Sequence, residues 1–245
     1  MRRRCFLLLL PILLGPVRAP AQIVNTLRGF PDDEPGLSGS VEGWVDVSQG
    51  NTEYEEYGGA LTLQWLAGAH RIRAMGSGLY KSNRGEKSAE KATGHLRHNY
   101  WLNPWLATLL FAQSQYDPFQ RLQRRNLLGV GLRFELWQRP HLRVYAGMAT
   151  MLEDEEIQDS AQEGGTKHRM SSFLSAVWDL REGVALDAVG FYQPAWSDPV
   201  DLRASLAARL QVDLVGSLRL SLAYGVQHDA RPPEGVESTD WGLRT

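Results

Sequence analysis

Residues 200–228 have the sequence VDLRASLAARLQVDLVGSLRLSLAYGVQH, whose alternation indicates the type of fold. From Leu202 to Leu214 every second residue is apolar, and the residues between them are charged, polar or small. The same alternation returns from Leu218 to Val226, after the short break Val215-Gly216. A period of two places one apolar stripe on one face of a β-strand, whereas helical spacing would scatter these charges over every face. The two segments are therefore predicted to be antiparallel strands joined by a turn.

The same period of two continues through most of the chain from residue 37 onward. Strands of globular proteins average about 5–6 residues, whereas a tilted strand that crosses a membrane needs about 9–11. Many alternating segments here persist for ten residues or more, and an even number of strands is typical of bacterial single-chain barrels. The sequence predicts an all-β fold, a transmembrane antiparallel up-and-down β-barrel of about 12 strands. The predicted strands are 37–48, 53–66, 69–81, 92–102, 104–115, 124–137, 141–152, 168–180, 183–193, 200–214, 217–228 and 238–245.

The connections between these predicted strands alternate in length. Every second connection is very short: Ala67-Gly68, Asn103-Pro104, Gln138-Arg139-Pro140, Arg181-Glu182 and Val215-Gly216. Apart from the tight turn at Gly50-Asn51, those between them are longer and polar: Asn83 to Lys91, Asp117 to Arg124, Glu153 to Lys167, Gln193 to Val200 and Asp229 to Ser238. Short periplasmic turns and longer outer loops are the pattern of outer-membrane barrels. The short connections are therefore expected on the periplasmic side.

Five tryptophans lie within a few residues of the short connections. They are Trp65, Trp101, Trp105, Trp137 and Trp178. Indole rings at one depth of a barrel form an aromatic girdle at a membrane interface. The five are therefore predicted to form the inner aromatic girdle.

The first 21 residues are expected to be a cleaved signal peptide. Arginines 2–4 precede an apolar run from Phe6 to Leu14, and Ala19-Pro20-Ala21 offers the small residues that a signal peptidase reads. Residues 22–36 are interpreted as a periplasmic lead-in, and residues 37–245 as the barrel. Cys5, the one cysteine, would leave with the signal peptide, so neither a disulfide nor a thiolate metal site is expected.

Composition excludes several other classes of protein. The chain of 245 residues is 43% hydrophobic, and its mean hydropathy is −0.32, which argues against a bundle of membrane helices. The 8 Trp, 8 Tyr and 7 Phe argue against disorder, because such rings need a folded structure to bury or anchor them. With 26 basic and 28 acidic residues, the chain gives no reason to expect a nucleic-acid partner.

The stripe opposite the apolar side of the predicted strands is charged. Basic residues outnumber acidic ones among the residues predicted to face the barrel interior: Glu42, Asp46, Arg71, Arg73, Arg97, Arg133, Glu135, Arg143, Asp187, Arg203, Arg209, Asp213 and Arg219. Such charges either line a narrow channel with a slight preference for anions or pair into a plug of salt bridges. The sequence leaves both possibilities open.

No arrangement of residues in the sequence points to catalysis. None of the six histidines stands in a His-x-Ser arrangement, and His228 and Asp229, as adjacent strand residues, point to opposite faces. The acidic run from Glu153 to Glu156 is interpreted as part of a solvated loop, since a calcium site needs spaced ligands and a turn glycine. The chain is therefore expected not to be an enzyme and to need no cofactor and no metal.

Three stretches resemble a known bacterial family. They are residues 45–53 (VDVSQGNTE), residues 116–122 (YDPFQRL) with the following Arg125 and Gly129 to Leu132, and the late segment Glu237 to Asp240. The family carries the domain of unknown function 481, and some members are called salt-induced outer membrane proteins. The resemblance covers nearly the whole chain after the signal peptide. It implies an outer-membrane β-barrel and no assigned activity.

Together these observations predict a monomeric, porin-like protein of the outer membrane of a Gram-negative-type bacterium, either structural or a narrow channel. Its expected partners are outer-membrane lipid and the export and barrel-insertion machinery. Two alternatives of other classes stay open at this point. One is a lipid- or envelope-modifying barrel enzyme, and the other is a soluble exported β-barrel that binds a small ligand.

Overall fold

Twelve antiparallel strands, hydrogen-bonded in chain order, form one sheet in a computed structural model of the protein. The structure describes residues 35–158, 164–215 and 218–245, so the predicted signal peptide and nearly all of the predicted lead-in lie outside the described residues. The strands are β1 Gly36–Ser48, β2 Tyr54–Ala67, β3 His70–Asn83, β4 Glu86–Asn103, β5 Leu106–Asp117, β6 Leu122–Arg139, β7 Leu142–Ile157, β8 Gly165–Arg181, β9 Val184–Pro194, β10 Leu202–Val215, β11 Leu218–Asp229 and β12 Thr239–Arg244. A 3-10 helix, Pro118–Gln120, lies between β5 and β6. The prediction of an all-β fold with about twelve antiparallel strands is confirmed.

The strands are long. The shortest of β1 to β11 has 11 residues and the longest have 18, whereas β12 has six. Because globular strands average about 5–6 residues, eleven of the twelve exceed that length about twofold or more. Every pair of neighbouring strands is antiparallel, which matches the predicted up-and-down order.

The two ends of the sheet differ in their connections. At one end, here called the short-turn end, the described turns contain two residues each: 68–69, 104–105, 140–141 and 182–183. At the other, the long-loop end, the connections include 118–121, 195–201 and 230–238. This alternation is the one predicted, with one correction at the β3–β4 connection.

The predicted long connection from Asn83 to Lys91 is wrong. β3 runs to Asn83 and β4 begins at Glu86, so that a two-residue turn, Arg84-Gly85, joins them. Both turn residues have positive φ, 52° and 75°, as a type I′ hairpin turn requires. The polar segment after the turn is a strand because it pairs with β3, although it lacks the apolar alternation from which the strand could be predicted.

The polar face of the sheet is buried and its apolar face is exposed, which is the reverse of the arrangement in a soluble protein. Along β2, Gln64 is 1% exposed whereas its neighbour Trp65 is 44% exposed. Buried polar or charged side chains occur on β2 to β9, and large apolar side chains are exposed on each of these strands except β3. A soluble protein usually buries its apolar face, whereas this sheet buries its polar face.

The polar face is concave, because side chains on distant strands touch one another across it. Arg97 of β4 lies over the ring of Phe173 of β8, 5.6 Å from its centroid. Gln120 Nε2, after β5, donates to Asp240 Oδ2 of β12 at 3.3 Å. Within the described residues, β1 pairs only with β2, and β12 pairs only with β11.

An apolar cluster fills the concave side between β5 and β9. Its members are Leu109, Phe111, Leu127, Tyr145, Ala149, Met151, Phe173, Val189 and Phe191. Glycines on the same side make room for two of the rings. A Cβ added to Gly129 would lie 2.3 Å from Phe111, and one added to Gly147 would lie 2.0 Å from Phe173. The interior is therefore packed at this level.

Candidate functional site

The largest group of buried charges lies inside the sheet toward the long-loop end. It comprises Arg125, Glu153, Glu155, Arg169, Asp201 and Arg203, here called the acid–base cluster. Strands β6, β7, β8 and β10 and the β9–β10 connection supply its side chains. Three guanidinium groups and three carboxylates make the cluster neutral at pH 7.

Glu153 is the centre of the acid–base cluster and is fully buried. Its Oε2 accepts from Arg125 Nε at 2.9 Å and from Arg203 Nη1 at 2.7 Å. Its Oε1 accepts from Arg169 Nε at 2.7 Å. Charge-assisted hydrogen bonds of this kind are about twice as strong as neutral ones, and three of them converge on a single carboxylate.

Two further carboxylates complete the network. Arg203 binds Glu155 through Nη1 and Nη2, at 2.6 and 3.0 Å. Arg169 Nη2 donates to Asp201 Oδ1 at 2.7 Å, and Lys167 Nζ donates to Asp201 Oδ2, also at 2.7 Å. Burial alone would raise the pKa of the Asp201 carboxyl, but the hydrogen bonds and charges of Lys167 and Arg169 outweigh it and hold that pKa below its ordinary value.

A polar cavity of about 80 Å³ lies beside the acid–base cluster at the long-loop end. Arg203 and Glu155 line it on one side, and Pro232 and Pro233 of the β11–β12 loop line it on another. This loop is tied across the interior, since Arg121 Nη1 donates to the Glu234 carbonyl at 2.8 Å. The loop and the 3-10 helix together narrow this end of the interior.

A second group of buried cations lies toward the short-turn end. It comprises Arg71, Arg73, Arg97 and Arg133 with the rings of Trp101, Tyr145 and Phe173, here called the arginine–aromatic cluster. Arg71 and Arg133 lie 5.9 and 5.5 Å from the Trp101 ring, and Arg133 lies 4.2 Å from that of Tyr145. Arg73 Nε donates to the Gln64 amide oxygen at 2.8 Å. These contacts are cation–π and amide contacts.

The structure places the predicted interior charges in three groups, which are buried, partly buried and exposed. The exposed group is Glu42, Asp46, Asp213 and Arg219. Arg71, Arg73, Arg97 and Arg133 are buried, and Arg203, Asp187, Arg209, Glu135 and Arg143 are partly buried. Asp187 pairs with Arg209 at 2.9 Å, and Asp213 pairs with Arg219 at 2.5 Å near the short-turn end.

Glu42 and Asp46 lie on the same face of the sheet as the buried charges. They share this face with Trp44, which lies between them on β1 and donates from Nε1 to Glu56 Oε1 of β2 at 2.9 Å. Both are nevertheless exposed. The reason is that β1, at the edge of the sheet, has one neighbour and little cover on either face.

Four of the five predicted girdle tryptophans lie on the exposed side near the short-turn end. They are Trp65, Trp105, Trp137 and Trp178, each 44–55% exposed. Trp101 is the exception, because it follows Arg97 and Asn99 at a period of two and contacts Arg71 and Arg133 inside. Its assignment to the girdle is therefore wrong.

Sequence reasoning missed most of the acid–base cluster. Glu153 and Glu155 belong to β7 and are buried, so the interpretation of this acidic run as a solvated loop is wrong. Arg125, Arg169 and Asp201 were not among the predicted interior residues either. The alternation of Tyr145, Ala149 and Met151 continues in register into the two glutamates, and extending it would have placed them inside.

A family model described as "Protein of unknown function, DUF481" matches residues 45–245. The chain belongs to the DUF481 family. The resemblance drawn from the sequence motifs is therefore confirmed. Two glycines of the motif in this DUF481 chain, Gly129 and Gly131, lie in β6, where Phe111 and the β7 backbone leave no room for a Cβ.

Among solved structures, one titled "Bacterial polysaccharide outer membrane secretin" is similar to the chain, with a TM-score of 0.45 and 8% sequence identity. The match covers 78% of this chain and 81% of that one. No curated protein matches the chain.

No helix in residues 35–158, 164–215 and 218–245 is long and apolar enough to cross a membrane. No group of three or more His, Cys, Asp or Glu side chains in those ranges is arranged to hold a metal ion.

Proposed function

We propose that this DUF481 protein is a monomeric, non-catalytic β-barrel of the bacterial outer membrane with an occluded interior. The observation that carries the proposal is the reversed burial of the two faces of the sheet. Leu128, Val130 and Leu174 are each 56–57% exposed, whereas Glu153 and Arg169 are fully buried. In water, an apolar face of this size would drive association, but lipid chains cover such a face favourably.

The hydrogen bonding of the sheet fits the same environment. Lipid offers no partner to backbone groups, so strands can cross it only when neighbouring strands satisfy them. Strands β2 to β11 each pair with a neighbour on both sides. In a barrel, the backbone N–H and C=O groups at the free edges of β1 and β12 also need hydrogen-bond partners in the membrane. We propose that these two strands pair with each other there.

The exposed tryptophans favour one orientation. Trp65, Trp105, Trp137 and Trp178 lie close to the two-residue turns, and indole rings favour the membrane–water interface. Short turns face the periplasm in bacterial barrels. We therefore place the short-turn end on the periplasmic side and the cavity beside the acid–base cluster at the cell surface.

Side-chain packing favours an occluded interior over an open channel. Arg203 of β10 reaches Glu153 of β7, and Arg97 of β4 reaches Phe173 of β8, so side chains span the concave space at two levels. The apolar cluster lies between the two. An interior packed in this way resembles the filled lumen of small barrels more than the water-filled lumen of porins.

His168, His228 and Asp229, which a catalytic site could use, each have a structural partner. His168 is an exposed residue within 2.6 Å of the Thr150 hydroxyl, whereas Ser175 is buried on the opposite face of the same strand. Asp229 binds Arg203 at 2.8 Å and His228 lies 2.9 Å from the Thr239 hydroxyl. These contacts support a structural role, with outer-membrane lipid and the export and barrel-insertion machinery as partners and no cofactor.

Fractionation of cells that produce the full chain tests the membrane proposal. We expect the protein in the outer-membrane fraction, resistant to carbonate and urea washes and released by detergent. An unheated sample should migrate faster on a gel than a boiled one, as compact barrels do. Recovery of the protein in the soluble periplasmic fraction would contradict the proposal and favour a soluble ligand-binding protein.

Two further assays separate the remaining alternatives. In planar bilayers, the occluded interior should give no conductance steps above background, and regular steps would show a channel instead. Incubation with phospholipid and lipid A should give no hydrolysis. Turnover that a single Ser or His substitution abolishes would show the lipid-modifying enzyme.

A further inference from the structure

Among the described residues, the only direct contact of the Arg97 side chain is with an aromatic ring. The other arginines of the arginine–aromatic cluster have further contacts. Its side chain lies inside the sheet, and the residue is 6% exposed. Its Nε is buried and has no hydrogen-bond partner among the described residues. The contact with the Phe173 ring, at 5.6 Å, does not use that N–H. A buried donor without a protein partner calls for an explanation, and the binding of an ion is an ordinary one.

The neighbours of Arg97 add positive charge. Arg73 lies directly opposite Arg97 in the β3–β4 register, and both residues are at most 7% exposed. The positive charge of Arg133 repels that of Arg97. Like charges that are buried close together repel strongly, because the interior screens them much less than water does.

The chemistry of guanidinium groups indicates what would relieve this repulsion. A guanidinium group presents its N–H donors in a planar fork that matches the oxygen atoms of phosphate and carboxylate. Two such groups on neighbouring strands can bind one tetrahedral anion between them. Because the Phe173 ring packs closely against Gly147, a ligand beside Arg97 has to be small.

We propose that the arginine–aromatic cluster binds one small inorganic oxyanion, phosphate or sulfate, through Arg97 and its neighbouring guanidinium groups. This site goes beyond the proposed membrane role and does not depend on it, because the same interior would bind the anion in detergent solution. The anion neutralises the buried charge of Arg97, which the charge of Arg133 repels, so its binding stabilises the sheet. A lipid headgroup is a poor fit, because the site is buried on the concave face beside the packed apolar cluster.

Calorimetric titration of the purified full chain in a neutral detergent tests the proposal, with inorganic phosphate and sulfate as separate probes. Ionic strength is held constant with sodium chloride, and the fast-migrating gel band confirms that each sample is folded. We expect saturable binding of one anion per chain. Arg97→Gln should weaken the affinity at least tenfold.

Arg209→Gln is the matched control, because this arginine also lies inside the sheet but is held by Asp187 at 2.9 Å. Its affinity should stay within twofold of the wild-type value. Absence of saturable binding to the folded wild-type chain would overturn the proposal, and so would an unchanged affinity in folded Arg97→Gln.

A conservative variant covers the case in which Arg97→Gln does not fold. Arg97→Lys keeps the charge but loses the fork and Nε, so it should fold and bind at least threefold more weakly than wild type. Equal affinity of this variant and wild type would contradict the role of Arg97. Binding to phosphatidylglycerol micelles without binding to free phosphate or sulfate would also overturn the proposal. Loss of anion binding with normal outer-membrane recovery refutes this site alone and leaves the proposed function standing.

Discussion

The two ends of the sheet interior stabilise their buried arginine side chains through different contacts. In the acid–base cluster each guanidinium group meets a carboxylate, as Glu153 shows by accepting from Arg125, Arg169 and Arg203. In the arginine–aromatic cluster the contacts of Arg97 and Arg133 include aromatic rings at 4.2–5.6 Å. Buried arginines therefore pair with carboxylates at one end of the interior and contact aromatic rings at the other.

This contrast indicates which end of the interior stabilises the sheet and which end is sensitive to bound ions. A buried ion pair with saturated hydrogen bonds is costly to break, because removal of one partner leaves an uncompensated charge. A buried cation beside a ring gains only about 0.5–2 kcal/mol from that contact. We therefore expect the long-loop end to hold the strands together and the short-turn end to depend on its ionic surroundings.

The largest effect is expected from Glu153→Gln. Three arginines would lose the carboxylate they share, and loss of a buried partner costs about 3–5 kcal/mol, so the free energy of unfolding should fall by an amount near the upper end. Urea titration in detergent, followed by the gel band of the folded form, measures it. Glu156→Gln is the control, since that side chain is half exposed and 3.5 Å from Arg124. An equal loss in both variants would refute the central role of Glu153.

A pair of substitutions compares the two clusters directly. Arg169→Met removes a partner of both Glu153 and Asp201 and should destabilise the sheet by about 3–5 kcal/mol. Arg97→Met should cost less than about 1 kcal/mol, or stabilise, in phosphate-free buffer, because it removes a charge without leaving an acid behind. The same urea titration compares them. A loss in Arg97→Met as large as that in Arg169→Met would remove the distinction between the clusters.

The ring that Arg97 contacts offers a smaller test. Gly147→Ala would place a Cβ 2.0 Å from Phe173, and overpacking of this kind costs about 1–3 kcal/mol. Gly94→Ala is the matched control, since its Cβ would have no atom within 4 Å. Combining Gly147→Ala with Phe173→Leu should recover part of the loss. Equal stability of the two glycine variants would show that the interior is not packed there.

The smallest effect concerns acid. The pKa of Asp201 is lowered in the folded chain, so its contribution is present above the ordinary aspartate pKa, about 3.9, and is lost as the pH falls below that value toward the lowered one. Stability should therefore decline as the pH falls below about 4, and less steeply in Asp201→Asn. Urea midpoints at fixed pH values measure both slopes. Parallel slopes would show that Asp201 is not part of the acid response.

Strand positions could be predicted from the sequence because their residues alternate on a covered and an uncovered face. The segment from Leu202 to Leu214 shows this clearly, and β10 is Leu202–Val215 in the structure. The beginning of β4 could not be predicted this way. Residues 86–91 carry charges on both faces, so only pairing with β3 and the positive φ of Arg84 and Gly85 show that it is a strand.

The candidate site could be predicted only in part, for a related reason. Arg71, Arg97 and Arg133 alternate with apolar residues and were predicted to face inward, and the structure buries them. Glu153 and Glu155 stand in a run of four acids that resembles a solvated loop. Three arginines from other strands make their burial possible, and the sequence does not show which strands curve toward one another.

The central claim is that the charged face is the interior and the apolar face meets lipid. Single cysteines at neighbouring positions of β10, Ser205→Cys and Leu206→Cys, can be labelled with a fluorophore in a Cys5→Ser background and placed in vesicles of brominated lipid. Ser205 lines the polar cavity, whereas Leu206 is 44% exposed on the opposite face. We expect strong quenching at position 206 and little at position 205. Equal quenching at both positions, or stronger quenching at 205, would contradict it.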